Sequence, residues 1–96
     1  MRESNIEKYL TNEMKKVRGK SYKWISPGNS GVPDRIIIFP SGRILFVELK
    51  APGKVPTAYQ QLVHRELKRL NCEVLVIDNK KQIDELIQKW GEQREI

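Results

Sequence analysis

The chain has almost no thiol and almost no imidazole: one cysteine, Cys72, and one histidine, His64, in 96 residues. A lone cysteine cannot staple a domain, and one Cys with one His cannot build a structural zinc site. Cys72 falls between "LKRL" and "VLVI", where a small buried thiol is the expectation. Long apolar runs are also missing. The longest are a few residues, far short of the roughly 20 that a membrane span needs. No apolar segment of signal-peptide type follows the charged N-terminus, so the cytoplasm is the expected compartment. At this length the chain should form one domain, residues 1–96, around one core.

Basic residues are what the chain has in excess. Lys and Arg number 18 against 12 Asp and Glu, giving a net charge of +6. Such a balance favours a polyanionic partner, nucleic acid before an anionic membrane surface, although many small proteins are basic for solubility alone.

Hydrophobic periodicity orders the elements. Ile6, Leu10, Met14 and Val17 mark one stripe of a helix over roughly residues 3–18, with Ser4 and Glu7 as a capping box and Gly19 as its end. "SYKWI" alternates as a short strand, and "SPGNSGVP" is a loop of breakers. "DRIIIF" and "RILFVELK" are two strands joined by "PSG". After "APGKVP", Thr57 caps a helix to about Leu70 whose apolar stripe is Tyr59, Val63, Leu67 and Leu70. "EVLVID" is a fourth strand. Ile83, Leu86, Ile87 and Trp90 then mark a last helix, capped by Asp78 or Asn79. The order α-β-β-β-α-β-α predicts an α/β fold with a small mixed sheet flanked by helices. Both faces of the middle hairpin are apolar, Ile36, Ile38, Ile44 and Phe46 on one and Ile37, Phe39, Leu45, Val47 and Leu49 on the other, which predicts helices over both.

The "FPSGR" loop sets the hairpin register. Pro40 suits the first corner of a type I turn and Gly42 the left-handed position after it, giving a three-residue loop with a glycine bulge. Phe39 then pairs with Arg43, Ile38 with Ile44, Ile36 with Phe46, and Asp34 with Glu48. A two-residue "SG" loop would instead shift the register by one and move Asp34 to the face of Leu49. In the first register two carboxylates stand about 5 Å apart at Cβ, where like charges repel. Lys50, two residues beyond Glu48, projects from the same face. A divalent cation would remove the repulsion, and oxygen donors suit Mg²⁺ or Mn²⁺. Without one, a carboxyl should take up a proton at raised pKa. An ordinary ion pair of Lys50 with Glu48 or Asp34 at a sheet edge is the plainer alternative.

"GVPDR", then "VELK" with its Glu fourteen residues after Asp34, then Gln60 and His64 on a helix, resemble the VRR-NUC branch of the PD-(D/E)XK nucleases. The resemblance runs from about Glu3 to Asp78. It implies a restriction-endonuclease-like fold and a metal-dependent DNA endonuclease, with Mg²⁺ or Mn²⁺ as cofactor. Asp34 and Glu48 would then bind the metal with the backbone carbonyl of Leu49, Lys50 would activate water and stabilise phosphate charge, and Gln60 would match the family's helix glutamine as a catalytic residue. A helix glutamate, Glu7 or Glu3, would complete the site, with Glu7 equally suited to the capping box. Gly31 would bring backbone close to the phosphate, and Lys54, Arg65 and His64 would contact DNA, with His64 on a solvated face opposite the apolar stripe. The resemblance also implies a small phage or bacterial protein that cuts branched DNA such as four-way junctions as a homodimer. A non-catalytic basic nucleic-acid-binding module, or a subunit of a larger repair or packaging complex, is the rival reading.

Overall fold

The computed structural model describes residues 2–91. Three helices and four strands follow one another as α1 (Glu3–Lys16), β1 (Lys20–Lys23), β2 (Arg35–Ile38), β3 (Ile44–Leu49), α2 (Ala58–Arg69), β4 (Val74–Ile77) and α3 (Lys80–Trp90). This is the predicted order. The strands form one sheet in the order β1-β2-β3-β4. The first three are antiparallel neighbours, and β4 lies parallel to β3, a pairing that needs a crossover. Helix α2 provides it.

The β2–β3 hairpin forms in the register that places Ile38 opposite Ile44 and Ile36 opposite Phe46. The Phe39 amide donates to the Arg43 carbonyl at 2.9 Å, and the Gly42 amide to the Phe39 carbonyl at 2.8 Å. Gly42 has φ of 93°, the left-handed conformation that favours glycine. The three-residue loop with a bulge is therefore the one formed, and the two-residue alternative is ruled out.

Alternation along the strands then assigns the faces. Ile37, Leu45, Val47 and Leu49, with Phe39 beyond β2, are all buried and form one core with Ile6, Leu10 and Met14 of α1 and Ile83 and Leu86 of α3. Each such side chain contributes roughly 1.5–3 kcal/mol by leaving water. Helices lie on both faces, as expected, but cover them unequally. Helices α1 and α3 share one face, and α2 covers only part of the other. Ile44 there is 49% exposed, and Trp24 shields Phe46 with ring centroids 5.1 Å apart.

Capping follows local chemistry in two helices out of three. Thr57 and Gln60 form a full capping box on α2, and Asn79, rather than Asp78, caps α3 by accepting from the Gln82 amide. The capping box expected at Ser4 and Glu7 does not form: α1 starts after Arg2 without a side-chain cap. Glu7 has a stronger partner, the Arg35 guanidinium, at 2.9 Å. Cys72 is partly exposed rather than buried.

The stripe read for α2 also differs. Tyr59 and Leu70 stay exposed while His64 is only 6% exposed, because the helix turns Gln60, Val63, His64 and Leu67 toward the sheet. A buried carboxylate on the sheet lies against that face.

Candidate active site

That carboxylate is Glu48, 1% exposed. Its position follows from alternation on β3: Val47 and Leu49 enter the core, so Glu48 projects from the opposite face, under α2. The ladder continues past it, since the Lys50 amide donates to the Ile77 carbonyl at 2.9 Å. Lys50 therefore returns to the face of Glu48, with Nζ 3.4 Å from Glu48 Oε2.

Asp34 immediately precedes β2. Its carbonyl accepts from the Trp24 amide at 2.9 Å, and its Oδ2 accepts from the Leu49 amide at 2.8 Å. The side chain acts as one more rung between the strands and holds Asp34 beside Glu48. From α2, Gln60 donates Nε2 to Glu48 Oε2 at 3.2 Å while its Oε1 accepts from the Thr57 amide at 2.9 Å. The capping box and the site share one side chain. His64, one turn on, places Nε2 3.5 Å from Glu48 Oε1.

Burial pushes the Glu48 carboxyl up to about 7, the Asp34 charge pushes in the same direction, and the Lys50 ammonium opposes both. The pairing predicted this direction through the Asp34 charge, and burial adds the larger share. Burial also lowers His64, helped by the charges of Lys68 and Lys50. Glu48 Oε1 and His64 Nε2 are buried, and neither has a hydrogen-bond partner among the described residues. An orphaned carboxylate oxygen beside a second carboxylate fits a hard divalent cation.

The structure thus brings together Asp34, Glu48, Leu49, Lys50 and Gln60, and adds His64. It does not bring in the third carboxylate. Glu7 is held by Arg35, which shares the core face with Val47 across the strands, and no group of three His, Cys, Asp or Glu placed to hold a metal ion is present among the described residues. Glu3 is exposed in the first turn of α1.

Two expected DNA contacts also move. His64 is buried against Glu48 rather than solvated, and Gly31 is buried under α2, where an added Cβ would lie 2.7 Å from Val63 Cγ2 and 2.9 Å from the Tyr59 ring. Gly31 is needed for the close approach of loop to helix, and it does not offer its backbone to a phosphate from there. Lys54 and Arg65 are exposed and have no salt-bridge partner among the described residues. The placement of His64 beside Gln60 was legible in one signal, its position four residues after Gln60, which puts both on one helix face.

No family model matches the chain. A curated protein of Acyrthosiphon pisum secondary endosymbiont phage 1, "Putative nuclease p44", is 49% identical over 79 residues, covering 82% of this chain and 85% of that protein. A solved structure described as "VRR_NUC domain" superposes with a TM-score of 0.82 at 32% identity, covering 90% of this chain and 94% of its own. Both likenesses span most of the chain, the strands and helix that carry the site included, and on them the chain belongs to the VRR-NUC family of nucleases.

Proposed function

We propose that the protein is a deoxyribonuclease that hydrolyses phosphodiester bonds in DNA with Mg²⁺ or Mn²⁺ at Asp34 and Glu48. The observation that carries this reading is the buried Glu48, crowded by Asp34 and with Oε1 unpartnered among the described residues. The Leu49 carbonyl, at the end of the same strand, is a further donor for the metal. When bound, the metal supplies charge for a phosphate oxygen and lowers the pKa of an attacking water.

The remaining work belongs to the chain. Lys50 brings an ammonium to the carboxylate pair, where it stabilises the negative charge that develops as water adds to phosphorus and the P–O bond to the leaving oxygen breaks. Asp34 is fixed by the Leu49 amide and Glu48 by Gln60, so neither has to be ordered when DNA arrives. The exposed Lys54 and Arg65 supply phosphate contacts.

The substrate in this reading is branched DNA, cut by a homodimer in the cytoplasm of a bacterial or phage-infected cell. Charge and symmetry support it: a net charge of +6 suits a polyanion, and a two-fold pair engages two strands with one kind of site. No helix among the described residues is long and apolar enough to cross a membrane.

The test is cleavage of a labelled four-way junction and of a matched linear duplex, each with Mg²⁺, Mn²⁺ or EDTA, beside Asp34→Ala and Lys50→Ala. Metal-dependent cutting lost in both variants is the expected result. Binding without metal-dependent cutting would leave a non-catalytic basic module.

A further inference from the structure

Helix α2 reaches the carboxylate of Glu48 twice. Gln60 Nε2 meets Oε2 at 3.2 Å, and His64 Nε2 stands 3.5 Å from Oε1. The orientation of the Gln60 amide is fixed independently, because its oxygen is taken by the Thr57 amide and only its NH₂ is left for Glu48. His64 has no such second task. It is buried, and its Nε2 has no hydrogen-bond partner among the described residues.

We infer that His64 is a positioning residue, whose Nε2–H holds Oε1 of Glu48 while Gln60 holds Oε2, so that one face of α2 fixes the plane of the metal-binding carboxylate. The inference rests on the metal reading of Glu48 proposed above. Its physical basis is the soft terminal torsion of a glutamate, which is broad and roughly two-fold. A grip on one oxygen leaves the carboxylate free to rock about it. A grip on both oxygens, from groups four residues apart on one helix, removes that freedom.

A carboxylate has about four lone-pair sites, so two donors from α2 and the nearby Lys50 still leave capacity for a metal. The 3.5 Å separation is longer than a formed N–H···O bond. Such contacts are often long before a site is filled and tighten when it is.

His64 is the chain's one histidine, so ¹⁵N-histidine labelling gives a single-residue reporter. The protein loaded with Mg²⁺ is expected to show the Nε2–H tautomer with a proton protected from solvent exchange. His64→Leu, which fills the space without a donor, should weaken Mn²⁺ binding by about tenfold or more, the usual effect of losing a partner behind a metal ligand. His64→Gln, which restores an N–H donor, should recover most of that affinity, and in cleavage kinetics His64→Leu should lower kcat while KM for DNA holds.

An Nδ1–H tautomer, with the Nε2 lone pair facing Glu48, would overturn the assignment, as would nitrogen coupling to bound Mn²⁺ in electron paramagnetic resonance. Equal Mn²⁺ affinity of folded His64→Leu and wild type would overturn it too. Failure of the wild type to bind any Mn²⁺ would instead sink the metal reading. In that case the tautomer measured in the metal-free protein still decides whether His64 donates to Glu48.

Discussion

The Asp34 carboxylate accepts a 2.8 Å hydrogen bond from the Leu49 amide, so a side chain takes the place of a backbone rung where β2 and β3 part. One oxygen serves the fold, and in the proposed function the other binds the metal. Replacing Asp34 by Ala strands the Leu49 amide, at a cost of about 1–3 kcal/mol, read as a lower Tm. Asn keeps an acceptor at the same place, so Asp34→Asn should melt near wild type. Both variants should cut at least roughly 100-fold more slowly, since a metal ion contributes several kcal/mol to such a reaction.

The stability of the metal-free protein should fall as pH rises from 4.5 to 7. Glu48 has its pKa raised from 4.5 to about 7, first by burial and then by Asp34. Between those values the folded chain keeps a proton that the unfolded chain releases. The stabilisation is complete below 4.5 and lost as pH climbs through 7. A displacement of this size corresponds to roughly 3 kcal/mol. Melting curves across this range should show the slope in wild type and a flatter profile in Glu48→Gln. Added Mg²⁺ requires the ionised carboxylate, so its stabilising effect should grow over the same window and level off above it.

Gly31→Ala should disturb the site from a distance. The new Cβ would lie 2.7 Å from Val63 Cγ2 and 2.9 Å from Tyr59, and a β-branched Val63 cannot turn away freely. Helix α2 has to shift, which costs about 1–3 kcal/mol as overpacking. It also carries Gln60 away from Glu48. Thermal melting should drop and cleavage should slow together, whereas Gly28→Ala, where nothing lies within 4 Å of the added atom but φ is +80°, should lower melting through backbone strain alone and leave cleavage near wild type.

Lys54→Ala and Arg65→Ala should weaken DNA binding without touching metal affinity. Removing one cation that neutralises a phosphate lowers the slope of log K against log salt by about 0.9 on duplex DNA. Titrations at several salt concentrations measure that slope directly. An unchanged slope in either variant would remove that residue from the interface.

The central pairing was legible in the sequence because a hairpin's register is a local property. Pro40 and Gly42 select the loop, the loop selects Ile38 opposite Ile44, and counting outward brings Asp34 to Glu48 and Lys50 to the same face. Element order, the Thr57 cap and the buried stripes of α1 and α3 were legible for the same reason, since spacing and capping act within a few residues.

What the sequence could not determine was which group each polar side chain would choose across the fold. Glu7 had a local partner in the cap of α1 and a tertiary one in Arg35, and the charged partner won. Helix α2 offered an apolar stripe and a polar pair. Gln60 and His64 face the buried Glu48 beside Val63 and Leu67 of the stripe, while Leu70, at the cap beyond the helix, is 58% exposed, and a carboxylate taken out of water needs such donors. The sequence by itself placed Asp34 opposite Glu48 through backbone geometry. Only the tertiary structure decided that His64 closes over them, because desolvation acts between residues that the chain brings together from far apart.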